Sequence, residues 1–98
     1  MGNDLTVESG YVIEGRVQGV GFRWWTRQAA RRLGVVGIVR NLADGSVEVM
    51  ARGTGDAMST FADELRSGPP MARVQEVRQI ACILPTSADD FSIEHSIS

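Results

Sequence analysis

The chain contains no lysine, a single cysteine and a single histidine. Without lysine there is no amine for Schiff-base chemistry and no Walker-type lysine to grip a nucleotide's phosphates. One cysteine, Cys82, rules out a disulfide within the monomer and favours a reducing, cytoplasmic setting. It lies in an apolar run and reads as a small buried hydrophobe rather than a nucleophile. His95 stands alone near the C-terminus, with no Cys, His or carboxylate at ligand spacing, so it reads as an exposed tail residue and no metal site or cofactor is expected. No apolar run approaches the roughly 20 residues that span a bilayer, and the opening residues show neither the basic nor the apolar region of a secretory signal. The start, Met1-Gly2-Asn3-Asp4-Leu5-Thr6, formally fits an N-myristoylation pattern, but no polybasic segment accompanies it, so no membrane attachment is expected.

Acidic residues are absent from one long stretch. Between Gly15 and Ala43 there is no Asp or Glu, yet six arginines fall there, at positions 16, 23, 27, 31, 32 and 40. The whole chain still carries a net charge of −2, which gives no general attraction to nucleic acid. Its 98 residues, 43% hydrophobic and 22% charged, fit one domain with one modest core. Residues 1–7 read as a loose leader and residues 8–98 as the domain, expected to be a monomer.

Periodicity supplies the elements. A strand is predicted over 7–17, with Tyr11, Ile13 and Val17 on one face and Glu14 and Arg16 on the other. A helix is predicted over 22–33, with Phe22, Thr26, Ala29 and Leu33 on one stripe and Gly34 as its stop. Strands are predicted over 35–42 and 46–52, joined by the hairpin signal Ala43-Asp44-Gly45. A second helix over about 56–66 carries Met58, Phe61, Ala62 and Leu65, and Ser67-Gly68-Pro69-Pro70 ends it. A long strand over 73–84, bulged near Gln75-Glu76, and a short edge strand over 91–94 complete the chain. The order β-α-β-β-α-β plus a short final strand predicts an α+β, ferredoxin-like split βαβ sandwich, with two helices on one face of an antiparallel sheet.

The segment Gly15-Arg16-Val17-Gln18-Gly19-Val20-Gly21-Phe22-Arg23 joins the first strand to the first helix. It leaves backbone N–H groups unpaired at a helix start, where the dipole is positive. Glycines let such a backbone approach a ligand closely, and the adjacent arginine adds a planar fork that matches a phosphate. The segment therefore reads as a cradle for a phosphoryl group with its own cation. In a split βαβ sheet the strand after the first helix runs near the strand that feeds the cradle. That brings Asn41 towards the cradle mouth, where its amide, both donor and acceptor, can hold a water aimed at phosphorus. No general acid is apparent, which disfavours phosphate monoesters. An acyl phosphate needs none, because it expels a carboxylate of low pKa.

These two stretches closely resemble the signatures of the acylphosphatase family. Gly15, Val17-Gln18-Gly19-Val20, Phe22 and Arg23 match the first signature. Gly37, Val39-Arg40-Asn41, Gly45, Val47 and Gly53 match the second at the expected separation. The resemblance covers roughly residues 8–94. It implies hydrolysis of a small-molecule acyl phosphate without metal or cofactor: Arg23 binding the phosphate, the backbone of Arg16, Val17, Gln18, Gly19, Val20 and Gly21 forming the cradle, and Asn41 orienting the attacking water. Inorganic phosphate and sulfate are expected to compete. One departure is Ile38, at a position where the family usually has an aromatic residue; altered packing near the second strand is expected there.

Other readings have less behind them. Arg27, Arg31 and Arg32 read as solvated surface charge, while Arg16 and Arg40 either tune the field of the site or face solvent. Gln18 contacts either substrate or its own loop. Of Trp24 and Trp25, at least one belongs in the core, with Trp24 covering the surface beside the cradle. An RNA-recognition module shares the element order, but the third strand, Ser46 to Arg52, has no aromatic residue for base stacking. A dinucleotide-binding reading fails because Trp24 stands where a third glycine is needed. A non-catalytic acylphosphatase-like domain remains as an alternative. So does the version of the domain that opens larger carbamoyl-transfer enzymes; the cysteine-rich segment expected to follow there is absent, so an independent enzyme is expected.

Overall fold

The computed structural model describes residues 5–95. The elements run β1 (Thr6–Arg16), α1 (Phe22–Leu33), β2 (Val36–Asn41), β3 (Val47–Thr54), α2 (Gly55–Ser67), β4 (Arg73–Ile80) and β5 (Phe91–Ile93). The sheet order is β4-β1-β3-β2-β5. β3 lies between β1 and β2 and is antiparallel to both, and β4 is antiparallel to β1. This is the expected ferredoxin-like split arrangement, with both helices packed on the sheet.

Alternation decides which face the helices cover. Tyr11, Ile13, Val17, Val39, Val47, Val49 and Ala51 all point into the core. Onto them α1 lays Phe22, Thr26, Ala29 and Ala30, and α2 lays Met58, Phe61 and Leu65. Ala30, rather than the half-buried Leu33, completes the α1 stripe. Phe61 contacts Tyr11 edge-on at 6.5 Å between centroids and Phe91 at 6.0 Å. Such rings contribute about 2–3 kcal/mol each by burial.

The structure departs from expectation at the start of β1 and at the end of β4. Thr6 and Val7 pair with Thr54 and Gly53, so β1 starts one residue before the expected strand and inside the stretch expected as leader; residues 1–4, with most of the myristoylation-like start, lie outside the described residues. β4 stops at Ile80 instead of continuing to residue 84. Beyond it the chain crosses closely over Gly10, where an added Cβ would come within 2.8 Å of the Ala81 carbonyl oxygen. The crossing is held from β3: the Arg52 guanidinium donates to the carbonyls of Leu84 (3.2 Å) and Pro85 (3.1 Å). The bulge sits where expected: Glu14 pairs with Glu76 and Gly15 with Val74, which leaves Gln75 as the extra residue.

The short final strand pairs parallel to β2, making the sheet mixed at that edge. Asp90 sets its start. The Asp90 carboxylate accepts from the Phe91 N–H (2.7 Å) and pairs with Arg31, and together these hold its pKa below the usual carboxylate value. Phe91 plugs the core, and Ile93, two residues on, is carried towards the end of β2.

Candidate active site

β1 ends at Arg16, and residues 17–21 turn into α1. Gly19 and Gly21 have φ of 74° and 76°, in the left-handed region that favours glycine. An added Cβ at either would meet nothing within 4 Å, so backbone conformation, not crowding, demands glycine there. Gly21 is also the N-cap of α1. It supplies no side-chain cap, and the first turn contains no acid. Among the described residues the N–H groups from Gln18 to Trp24 find no acceptor; the first bond of the helix is Trp25 N–H to the Gly21 carbonyl at 3.0 Å. A run of unpaired donors at a positive helix end favours an anion.

The loop is tied to the β2–β3 turn by Gln18. Its Nε2 donates to the carbonyls of Leu42 (2.8 Å) and Ser46 (2.9 Å), using both amide hydrogens. The turn is itself closed: Leu42 N–H donates to the Ser46 carbonyl (2.9 Å), Gly45 N–H to the Leu42 carbonyl (3.2 Å), and Ser46 N–H to the Asp44 carboxylate (2.9 Å). The hydroxyl and backbone bonds from Ser46 lower the Asp44 pKa. Asn41, the last residue of β2, is next to Leu42, so the Gln18 staple sets the position of Asn41 relative to the cradle.

A cavity of about 200 Å³ opens at this junction. Its polar side is formed by Gly19, Gly21, Arg23 and Asn41, and its apolar side by Val17, Phe22, Trp24 and Ile93. Arg23 is half-buried, and neither its guanidinium nor the Asn41 amide has a partner among the described residues. The two residues singled out for chemistry and both cradle glycines thus meet in one cavity. Arg16, Gln18 and Val20 do not line it. Arg16 is exposed at the end of β1 opposite Arg73, Gln18 is committed to the staple, and Val20 packs against the core. Ile93 was not anticipated; its signal was the short final strand, whose parallel pairing to β2 only the fold reveals.

The arginines divide instructively. Six of the ten pair with carboxylates: Arg31 with Asp90, Arg32 with Glu64, Arg40 with Glu48, Arg52 with Glu8, Arg66 with Asp63 and Arg78 with Glu14. Arg40, whose role was open, belongs to a cross-strand ion pair at 2.6 Å. Arg16, Arg23, Arg27 and Arg73 have no such pair among the described residues. Arg16 and Arg73 face each other at the cradle end of β1 and β4. Arg23 and Arg27 lie one turn apart on α1, and Arg27 is half-buried with its Nε buried and unpartnered, rather than freely solvated. Positive charge without an ion-pair partner among the described residues therefore lies at Arg23 and at the cradle end of β1 and β4, where it attracts anions.

Comparison with known proteins follows the same outline. The sequence profile of the acylphosphatase family matches residues 10–93. An acylphosphatase of Rhizobium etli is 51% identical over 81 residues, covering 83% of this chain and 86% of that protein. The crystal structure of acylphosphatase from Bacillus subtilis matches with a TM-score of 0.84 at 30% identity, covering 92% of this chain and 99% of the other. An acylphosphatase structure from Coxiella burnetii gives 0.79 at 33%, covering 91% and 93%. Sequence and fold agree over nearly the full length, and the chain belongs to the acylphosphatase family.

Proposed function

We propose that the acylphosphatase activity of this chain, hydrolysis of a carboxyl–phosphate anhydride to a carboxylate and inorganic phosphate, takes place in this cavity. The observation that supports this most is what the lining holds and omits. Among the described residues it has unpaired N–H groups, one unpaired guanidinium and one amide, and no Asp, Glu, His, Cys or Tyr. The phosphoryl group rests on the backbone of residues 17–21 and the start of α1, with Arg23 on its oxygens. Asn41 holds a water opposite the acyl oxygen. The water oxygen bonds to phosphorus as the bond from phosphorus to the acyl oxygen breaks. The electron pair leaves with the carboxylate, and the proton of the water passes to a phosphoryl oxygen. A carboxylate of pKa about 4 departs without a proton, whereas an alkoxide needs one. A loose phosphoryl transition state asks mainly for positioning and charge stabilisation, which this lining offers.

No side chain in the lining is a carboxylate, imidazole or thiolate that binds a metal, so the reaction is read as metal-independent. The lone Cys82 is a free, half-buried thiol, and a chain without an internal disulfide suits a reducing, cytoplasmic setting. The test is hydrolysis of acetyl phosphate and of a simple alkyl phosphate in EDTA across about pH 5 to 8. Acetyl phosphate should be cleaved throughout, with a pH profile that follows only the ionisation of the substrate. Equal turnover of the alkyl phosphate, or loss of activity in EDTA, refutes the reading.

A further inference from the structure

Two neighbouring tryptophans in α1 have opposite fates. Trp25 packs against Phe22, with centroids 5.6 Å apart, and joins the core. Trp24 is 57% exposed and lines the cavity. Its exposure excludes a core role, and its position gives it another. Helix side chains lean towards the N-terminus, so Trp24, third in α1, leans back over the cradle. The polar lining groups, Arg23, Asn41 and the backbone at Gly19 and Gly21, serve the phosphoryl group and the water. That leaves the acyl group the apolar lining residues, Trp24 with Val17, Phe22 and Ile93. Phe22 is buried, so Trp24 is the large ring that offers a free face.

We propose that Trp24 is a specificity-determining residue: its indole forms the wall against which the acyl group lies, favouring acyl phosphates with a planar, apolar acyl group over small aliphatic ones. The proposal rests on the cavity being the site of acyl phosphate hydrolysis. A flat aromatic acyl group stacks on the indole or meets it edge-on, whereas an acetyl group covers little of it.

The experiment measures kcat/KM for benzoyl phosphate and acetyl phosphate in the unmodified protein, Trp24→Ala and Trp24→Phe. Intrinsic reactivity differs between the substrates, but it cancels when the benzoyl-to-acetyl ratio is compared across variants. Trp24→Ala should lower that ratio about three- to tenfold, the size of one aromatic pair. The change should appear mainly in KM, and Trp24→Phe should restore most of it. A folded Trp24→Ala protein with an unchanged ratio, or with equal losses on both substrates, overturns the proposal. An unmodified protein that hydrolyses neither substrate overturns the underlying reading of the cavity, a distinct outcome from an active enzyme with an unmoved ratio.

Discussion

Replacing Arg23 with Gln should destroy activity while making the empty protein more stable. Arg23 is the second residue of α1, half-buried, without an acidic partner among the described residues, and next to a helix end that carries partial positive charge. In the free protein that arrangement is unfavourable by about 0.3–1 kcal/mol through the dipole alone. Removing the charge should raise Tm by about 1 to 8 °C in chloride, using roughly 4–8 °C per kcal/mol for a domain of this size. With substrate bound the sign reverses. A bidentate, charge-assisted pair to a phosphoryl group in a partly desolvated cavity is worth about 3–5 kcal/mol, so kcat/KM should fall roughly a hundred- to several-thousand-fold.

The two effects separate in one assay series. Melting curves in chloride should place the variant above the unmodified protein. Adding inorganic phosphate should reverse the order, because an anion at about 100 times its dissociation constant stabilises the native state by about 2.7 kcal/mol, and only the unmodified protein should gain the full shift. Sulfate should act in the same way. If Arg23→Gln melts lower in chloride, or gains as much from phosphate as the unmodified protein, Arg23 is not an uncompensated phosphate ligand and the reasoning fails.

Asn41→Ala should lower turnover by roughly a hundredfold, the scale of one positioned polar group. Phosphate inhibition should stay nearly unchanged and stability should fall by only about 1 kcal/mol; wild-type turnover in the folded variant ends the water-holding role. Gln18→Ala removes two hydrogen bonds to the Leu42 and Ser46 carbonyls, so it should cost about 1–3 kcal/mol of stability and lower kcat in the folded fraction. Gln18→Glu should not rescue it, since a carboxylate cannot donate to either carbonyl; full activity in that variant argues against the staple.

Local signals carried the site unusually far. The change from period 2 to period 3.6 around the glycines at 19 and 21 marks a strand, a turn and a helix start, and the cradle is made of contiguous chain. Asn41 needed topology as well as sequence, but the split βαβ order supplies it. Long-range partners were less legible. Gln18 reads as a polar loop residue until its acceptors, in the turn 24 to 28 residues away, are known. The partners of Arg40 and Arg31, Glu48 and Asp90, are likewise fixed by strand register and by β5. The alternation past Ile80 looked like more strand because apolar periodicity does not record where a ladder ends; the bare backbone at Gly10 lets the chain cross instead.

The two helices show why the cradle is where ordinary helix rules give way. α2 follows those rules at its N-terminus: the Thr54 hydroxyl accepts from the Ala57 N–H at 3.1 Å, and Asp56 sits in the first turn against the positive dipole end. α1 follows them at its C-terminus, with Arg31 and Arg32 in the last turn and Gly34 as cap. At its N-terminus it breaks both, with a glycine that supplies no cap and an arginine in place of an acid. A glycine in place of a capping side chain costs about a few tenths of a kcal/mol and a misplaced cation about 0.3–1 kcal/mol. Neither is recovered elsewhere in α1. A phosphoryl dianion corrects both at once, because it accepts from the unpaired N–H groups and neutralises the guanidinium. On the proposed function the ligand completes the helix, and the same uncompensated charge that weakens the free protein would give the bound state its affinity. This is where a conflict between local stability and structure is expected to mark function.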